Sequence, residues 1–319
     1  RFHGRPVARG APSAGRDAFV QDEMIRGILP GSGPVSITTR AYGLRAGDWT
    51  VTAELVAAKP AIGGRLSGTG RQTRGHTLPR AAWSWRRWTV TSGAFTPVRT
   101  RWGPLARLTS PPTVIPGSWS GFIALGLIVG VALHSALLAR EGVPFGAPVA
   151  VNVLSSLAGL IGAKARYIAL HPQTWRKSPG EGFAVDGFLL VMPITALVGM
   201  LLLNLPVGLF LDAGAPALMF GVAIGRLGCF FTGCCAGRFT RSRWGVWSSD
   251  RRVCARRIPA QLLESAAALV IGVGALAVYL SVQSPLRGMT FVGALVIYSL
   301  ARRVLLRLRA ERQPNPLAA

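Results

Sequence analysis

The stretch Gly225–Gly237 reads GRLGCFFTGCCAG and joins the end of an apolar run to a strongly basic segment. Arg226 stands where this run would leave the hydrocarbon of a membrane. The surrounding glycines allow another backbone or a lipid headgroup to come close. A charged side chain at that depth is costly unless it has a partner or a ligand. The stretch therefore predicts a membrane helix that ends at a functional arginine.

The composition of the whole chain is that of a membrane protein. Half of its 319 residues are hydrophobic, its mean hydropathy is +0.39, and its formal net charge is +24. Soluble globular domains rarely combine these properties. Six apolar runs are long enough to cross a hydrocarbon core of about 30 Å. They are Trp119–Leu138, Ala147–Leu170, Gly187–Leu203, Gly214–Phe231, Pro259–Val282 and Gly288–Leu306.

The chain divides by composition into an extension, a membrane domain and a tail. Residues 1–118 are rich in Gly, Pro and Arg. Within them Val35–Arg40 and Trp49–Leu55 alternate like strands around a predicted turn at Leu44–Asp48, and Trp83–Val98 is a second strand candidate. Residues 119–309 form the membrane domain and 310–319 a polar tail. The predicted fold is thus an all-α polytopic membrane protein with six helices and a small β-containing N-terminal extension.

The start of the chain carries an expectation of its own. Neither a methionine nor a signal sequence precedes Arg1, so we expect the chain to be cut or processed there. Whether one further membrane span originally came before Arg1 stays open.

The positive charge of the chain is almost entirely arginine, because only three lysines are present. A coding bias would explain this equally well, but arginine is also the side chain suited to a bidentate grip on phosphate. The basic residues are scattered and no nucleic-acid motif accompanies them. We therefore expect anionic membrane lipids, and no nucleic acid, as partners.

Neither the cysteines nor the histidines predict a metal site. Cys229, Cys234, Cys235 and Cys254 lack the spacing of a zinc site. A disulfide from Cys254 to Cys234 or Cys235 stays open, since it depends on the compartment. His134 lies in the middle of a span, where we expect a packed or hydrogen-bonded side chain. His171, at the end of the second span, is a candidate ligand.

Ionisable and polar residues cluster at the mouths of the predicted spans. Alternation of the helix direction places all of them at one side of the membrane, which predicts a pocket there. They are Lys164, Arg166, Tyr167, Asp186, Arg226, Arg257, Gln261, Glu264, Arg302 and Arg309. Gln261 and Glu264 share a helix face inside the membrane, so we expect Glu264 to pair with one of the arginines. Alternatively, each arginine reaches separately to a lipid headgroup.

Several motifs, in order over roughly residues 120–309, resemble the prolipoprotein diacylglyceryl transferase family. The most specific are GRLGCFFTGCCAGRFT at Gly225–Thr240, with Trp244–Val246, followed by RIPAQLLES at Arg257–Ser265. Weaker matches are GAKARY at Gly162–Tyr167, FAVDG at Phe183–Gly187, Asp212, and YSLARRVLLRLR at Tyr298–Arg309.

The resemblance implies transfer of a diacylglyceryl group from phosphatidylglycerol to the lipobox cysteine of a prolipoprotein, without a metal or another cofactor. It implies that Arg226 grips the lipid phosphate, that Arg257 and Arg302 complete the clamp, and that Glu264 orients one of them. Asp186 is the candidate base. The predicted catalytic residues are thus Arg226, Arg257, Asp186 and Glu264. The predicted binding residues are Arg226, Gly237, Arg166, Tyr167, Gln261, Arg302 and Arg309.

The chain departs from the family pattern where acid–base groups are expected. The departures are Asp186, Cys229, Cys234, Ile258, Leu263 and Leu306. They leave open a relative that binds anionic phospholipid without thiol transfer. A transporter is a further alternative, but it would need repeated halves and ionisable residues near mid-membrane, and neither is evident.

The orientation in the membrane has two conflicting indications. The basic loops lie on the motif side, so the positive-inside rule places that side in the cytoplasm. The family resemblance places the motif side outside the plasma membrane. We follow the resemblance, because a phosphate ligand explains the matching arginines.

Overall fold

The computed structural model describes residues 2–6, 18–23, 25, 28–29, 32–33, 35–39, 47–53, 98–102, 111–172, 184–281 and 286–310. The strand candidate Trp83–Val98 lies outside these residues except for Val98. The chain divides into two compact units. The strand unit comprises Arg1–Pro116 and Phe231–Pro259, and the helical unit comprises Gly117–Phe230 and Ala260–Ala319.

The described residues contain six α-helices, as the apolar runs predict. They are α1 (Ser118–Arg140), α2 (Gly146–Leu170), α3 (Val185–Leu202), α4 (Val207–Thr232), α5 (Ala260–Ser281) and α6 (Met289–Leu305). A 3-10 turn, Leu306–Leu308, follows α6. Four of these helices, and α6 together with the 3-10 turn that follows it, are long and apolar enough to cross a membrane. The apolar part of α3, Asp186–Leu202, is shorter.

The helices expose large apolar side chains that a water-soluble protein would bury. Examples are Ile128, Leu154, Ile161, Leu190, Leu202, Val270 and Leu300. Hydrocarbon is the solvent in which such surfaces are stable. The prediction of a polytopic helical membrane protein is therefore confirmed.

α4 begins at Val207, well before the predicted Gly214, because Asp212 is accommodated inside the helix. Its buried carboxylate accepts hydrogen bonds from the backbone N–H groups of Gly288 (2.7 Å) and Thr290 (2.9 Å). These donors lie at the start of α6 and have no partner within that helix. A carboxylate on α4 thus caps α6, which is why a charged residue does not end the span.

Glycines let the helices pack with their backbones close together. A Cβ atom at Gly126 of α1 would lie 2.7 Å from the carbonyl oxygen of Gly221 in α4. A Cβ atom at Gly187 of α3 would lie 2.5 Å from the carbonyl oxygen of Gly162 in α2. Small residues are the usual means of close packing between membrane helices, where no hydrophobic drive brings helices together.

His134 is a buried hydrogen-bonded residue, as predicted. Its Nε2 lies 2.9 Å from the carbonyl oxygen of Phe210, and the Asn152 amide donates to its Nδ1 at 2.9 Å. One imidazole thus satisfies polar groups on α2 and α4 from its position on α1. This pairing joins three helices at the end of the unit where α1 leads into α2.

The strand unit contains two antiparallel sheets among its described residues. The first has the order β2-β1-β4-β5, from β1 (Phe2–Pro6), β2 (Phe19–Gln21), β4 (Gly47–Ala53) and β5 (Val98–Trp102). The second has the order β3-β7-β6, from β3 (Ser36–Ile37), β6 (Val246–Ser249) and β7 (Val253–Arg257).

The stretches Val35–Arg40 and Trp49–Leu55 both contain strands, but these strands lie in different sheets. β3 pairs with β7 instead, with Ser36 opposite Cys254 and Ile37 opposite Val253. β4 begins at Gly47, inside the predicted turn, and pairs with β1 and β5. The backbone N–H and C=O groups along the edge of β7 pair with those of β3. A local sequence pattern does not reveal such a pairing between distant segments.

Further contacts hold β3 to the segment after α4. The Thr38 amide donates to the Arg252 carbonyl at 2.7 Å. The Glu23 carboxylate pairs with the Arg252 guanidinium and accepts a hydrogen bond from the Thr39 hydroxyl at 3.1 Å. Arg252 therefore lowers the pKa of Glu23 below its ordinary value.

Candidate functional site

The contacts within the helical unit bring several predicted site residues to one end of it. The end of α2 lies against the start of α3, since Gly162 contacts Gly187. At the same end, the last turns of α4 meet the first turns of α5, where the Ser265 hydroxyl donates to the Ala223 carbonyl at 2.7 Å. The chain after α6 reaches this end as well, through Arg309.

At the centre of this end, Glu264 binds two arginines. Its Oε2 lies 3.0 Å from Nε of Arg226. Its Oε1 accepts hydrogen bonds from Nε (3.0 Å) and Nη2 (2.5 Å) of Arg309. We call these three residues the Glu264 cluster. The prediction that Glu264 pairs with an arginine is confirmed, and the geometry adds a second arginine.

The sequence around each member explains how the cluster forms. Arg226 lies near the end of α4, and Glu264 lies in the second turn of α5, one turn after the buried Gln261. The 3-10 turn Leu306–Leu308 tightens the chain after α6 and is followed at once by Arg309. Arg309 meets Arg226 at the shared carboxylate.

The Glu264 cluster combines burial with an excess of positive charge. The Glu264 side chain is fully buried, whereas those of Arg226 and Arg309 are 15% and 8% exposed. Two guanidinium groups share a single carboxylate, so one positive charge is not neutralised within the cluster. Electrostatic attraction is stronger away from water. Such a cluster can bind an anion with planar, bidentate acceptors, and phosphate is one.

Tyr298 of α6 is a neighbour of this cluster that the sequence did not single out as a site residue. Its phenol lies close enough to Arg226 to interact with the guanidinium. The only sequence signal was its place at the start of the motif at Tyr298–Arg309. A phenol beside an arginine can donate a hydrogen bond to a bound phosphate oxygen.

Arg302, a predicted member of the phosphate clamp, lies on the same helix. Its side chain is partly exposed, and it forms no ion pair with a residue that the structure describes. Within the helical unit, Arg226 meets Arg309 at Glu264. The phosphate clamp of Arg226, Arg257 and Arg302 stays a prediction.

A second ion pair, between Arg166 and Asp186, is exposed and lies where α2 approaches α3. Nε of Arg166 donates to Asp186 at 3.0 Å, and the Asp186 side chain is 59% exposed. Nearby, Tyr167 stacks on His171 with ring centroids 4.8 Å apart, and Lys164 lies 5.7 Å from the Tyr167 ring.

Arg257 belongs to the strand unit, where its partners are protein groups. Its Nη2 lies 2.6 Å from Asp250 and 3.2 Å from the Val253 carbonyl, and Nη1 donates to the Gly237 carbonyl at 3.1 Å. The guanidinium also stacks 4.1 Å above the Phe239 ring. Burial lowers the pKa of Arg257, and Asp250 opposes this effect. These contacts fix the segment between α4 and α5.

Gly237 permits close approach, as predicted, but of protein backbone. A side chain at this position would overlap the carbonyl oxygen of Ile258, and the Ile258 amide donates to the Arg238 carbonyl at 2.9 Å. The glycine thus lets the two ends of the segment between α4 and α5 lie side by side.

Comparison with known proteins identifies the family. Residues 115–317 match the family model described as prolipoprotein diacylglyceryl transferase. A curated relative from Clostridium tetani, named phosphatidylglycerol–prolipoprotein diacylglyceryl transferase, is 24% identical over 206 residues. That alignment covers 62% of this chain and 82% of the relative.

Two further relatives carry the same name. One from Rhodococcus jostii is 25% identical over 177 residues, and one from Nocardia farcinica is 29% identical over 137 residues. The first alignment includes 50% of this chain and 49% of the relative. The second includes 39% of this chain and 27% of the relative. Because the family model covers well over half of the sequence, the chain belongs to the prolipoprotein diacylglyceryl transferase family.

Proposed function

We propose that this protein transfers a diacylglyceryl group from phosphatidylglycerol to the lipobox cysteine of a prolipoprotein. Family membership supports a role in lipoprotein maturation. The observation that carries the specific proposal is the Glu264 cluster, in which two arginines share one buried carboxylate at the end of the membrane helices. Its excess positive charge fits the phosphate of an anionic lipid.

The proposed reaction exchanges one bond for another at the glycerol carbon. The cysteine sulfur forms a bond to this carbon while the bond from carbon to the phosphate ester oxygen breaks. The electron pair of that bond leaves with glycerol phosphate, and the thiol proton passes to a base or to water. Negative charge grows on the phosphate as the bond breaks, so a fixed guanidinium stabilises the transition state.

Within this proposal the cluster residues have different roles. Arg226 is the more exposed of the two arginines and would contact the phosphate directly. Glu264 and Arg309 are positioning residues that hold Arg226 in place. Tyr298, Gln261, Tyr167 and Arg302 would contribute further contacts to the lipid. Arg257 and Gly237 would act by shaping the segment between α4 and α5.

A second candidate is a relative that binds phosphatidylglycerol without transferring it to a thiol. The Arg166–Asp186 pair favours this candidate, because the carboxylate proposed as the base is exposed and already bound to an arginine. A base used in proton transfer needs a pKa near the operating pH, and a neighbouring cation favours the charged form instead.

Arg226→Ala tests the proposed function. Protein in micelles that contain phosphatidylglycerol should release glycerol phosphate when a lipobox peptide is added. Removing one preorganised group at the reacting oxygen typically costs about 10²–10³-fold in rate, so we expect a loss of this size. Glycerol phosphate release is the measurement. The matched control is Arg303→Ala, which removes an exposed arginine of α6.

Two results would contradict the proposal. An Arg226→Ala protein as active as Arg303→Ala would show that the cluster is not the phosphate site. No release by the unaltered protein, together with retained lipid binding, would favour the second candidate.

We also propose that the protein resides in the plasma membrane with this end of the helices facing outward. A lipobox cysteine becomes accessible as its precursor is exported, which agrees with this orientation.

A further inference from the structure

The segment Gly233–Pro259, which joins α4 to α5, carries an unusual concentration of arginine. It contains seven arginines and, as its one acidic residue, Asp250. Asp250 is bound to Arg257. Arg241, Arg243 and Arg256 are exposed and form no ion pair with any residue that the structure describes. Their charge is therefore available to an external partner.

Two tryptophans lie among these arginines and are exposed as well. The side chain of Trp244 is 76% exposed, and that of Trp247 is 42% exposed. The Arg243 guanidinium lies 5.2 Å from the centre of the Trp244 ring. In the sheet, Trp247 lies directly opposite Arg256, so both side chains stand on the same face of β6 and β7.

Gly245 keeps this face compact. A Cβ atom at this position would lie 2.6 Å from Cγ of Arg256 and 2.5 Å from the Thr240 methyl group. The aliphatic part of Arg256 therefore packs across the glycine between the two tryptophans. We call Arg243, Trp244, Trp247 and Arg256 the Trp–Arg face. It presents amphipathic rings and cationic groups side by side.

We propose that the Trp–Arg face binds the anionic phospholipid headgroups of the bilayer surface, apart from any lipid held by the Glu264 cluster. Tryptophan is enriched at the boundary between hydrocarbon and water, because its ring is apolar and its N–H is polar. Arginines nearby attract anionic headgroups. The segment is tethered at both ends to apolar helices, which limits how far it can move from the membrane.

Charge complementarity decides between a lipid surface and a protein partner. The face has two large rings but no aliphatic side chain among its members, and its other groups are cations. A membrane containing phosphatidylglycerol supplies both phosphate groups and an interface suited to indole rings. The charges of an acidic protein would match the arginines but would not by themselves accommodate the indole rings. The anionic bilayer surface is therefore the partner that this face fits best.

The test compares the full-length protein with Trp244→Tyr/Trp247→Tyr in vesicles of phosphatidylcholine with and without phosphatidylglycerol. Subtracting the tryptophan fluorescence of the variant from that of the unaltered protein gives the signal of Trp244 and Trp247 alone. In vesicles with phosphatidylglycerol, we expect lipids brominated near the headgroup to quench this difference signal and aqueous iodide to leave it largely unquenched. Quenching by iodide but not by brominated lipid would overturn the proposal, and so would a signal that responds only to an added acidic protein.

A second measurement tests the arginines independently of the tryptophans. Arg243→Gln/Arg256→Gln should reduce the phosphatidylglycerol that copurifies with the protein from mixed micelles. A contribution of roughly fivefold in affinity is expected for each arginine near an anionic surface. The charge-preserving Arg243→Lys/Arg256→Lys protein should retain most of the lipid. Equal lipid retention by the glutamine variant and the unaltered protein would overturn the proposal.

Discussion

Glu264 determines whether two arginines can remain buried at the end of the membrane helices. It is fully buried and is the shared partner of Arg226 and Arg309. Removing Arg309 leaves a neutral pair, whereas removing Glu264 leaves two cations close together without their carboxylate. Breaking a buried ion pair at one partner typically costs about 3–5 kcal/mol.

Glu264→Gln should therefore destabilise the protein more than Arg309→Gln does. We expect a clear decrease in the apparent Tm in detergent for Glu264→Gln and a smaller one for Arg309→Gln. Thermal unfolding followed by circular dichroism measures both. Glu141→Gln, at an exposed position after α1, is the control. If the two cluster variants unfolded at the same temperature, the carboxylate would not be the centre of the cluster.

A second buried carboxylate acts at the opposite end of α4. Asp212→Ala removes the acceptor for the first amides of α6, and unsatisfied buried donors cost about 1–3 kcal/mol. We expect Asp212→Ala to lower the Tm and Asp212→Asn, which keeps one oxygen, to lower it less. The amides of Thr290 and Phe291, which both donate to Asp212, should also exchange faster with solvent. An unchanged exchange rate at both amides would contradict the capping role.

Among the structural elements, β3 connects the N-terminal extension to the segment after α4. Residues 1–114 precede the part of the chain that matches the family model. Nevertheless β3 adds a strand to the edge of β7. The Glu23–Arg252 ion pair and the Thr38 amide reinforce this pairing. The extension thus contributes directly to the structure of a family-matched segment.

This attachment should depend on pH through Glu23. Arg252 lowers the pKa of Glu23 from its ordinary value of 4.5. The ion pair therefore contributes stability above pH 4.5, and this contribution disappears as the pH falls through the lowered value. We expect the protection factor of the Thr38 amide, measured by hydrogen exchange, to decrease over this acidic range.

Glu23→Gln provides the control for this pH dependence. It should reduce the protection of Thr38 at neutral pH and remove its decrease on acidification. If the variant retained the same acidic decrease, another titrating group would be responsible for it.

On the scale of the whole molecule, the sequence predicted the six apolar helices of the described residues, because each span requires a long apolar run. It also predicted that Glu264 pairs with an arginine, since an unpaired carboxylate at that depth is costly. It did not predict that Arg309 would be the arginine that shares this carboxylate with Arg226. Nor did it predict the partner of β3, because strand pairing between distant segments leaves no local pattern.

The orientation of the molecule is testable by labelling with a membrane-impermeant maleimide. Cys254 is buried and unsuitable as a reporter. Ser242→Cys places a thiol at an exposed position between α4 and α5, and Glu141→Cys places one at the exposed turn between α1 and α2. In intact cells we expect Ser242→Cys to react and Glu141→Cys to react only after permeabilisation. The reverse pattern would favour the positive-inside orientation.

The position of Arg309 also limits how the protein can be engineered. It follows the last helical turn, yet its guanidinium holds the carboxylate at the start of α5. A truncation or reporter fusion made directly after Leu308 would remove this cation and leave Glu264 with Arg226 alone. Expression vectors for this protein should therefore keep the native chain through Arg309 before any added tag.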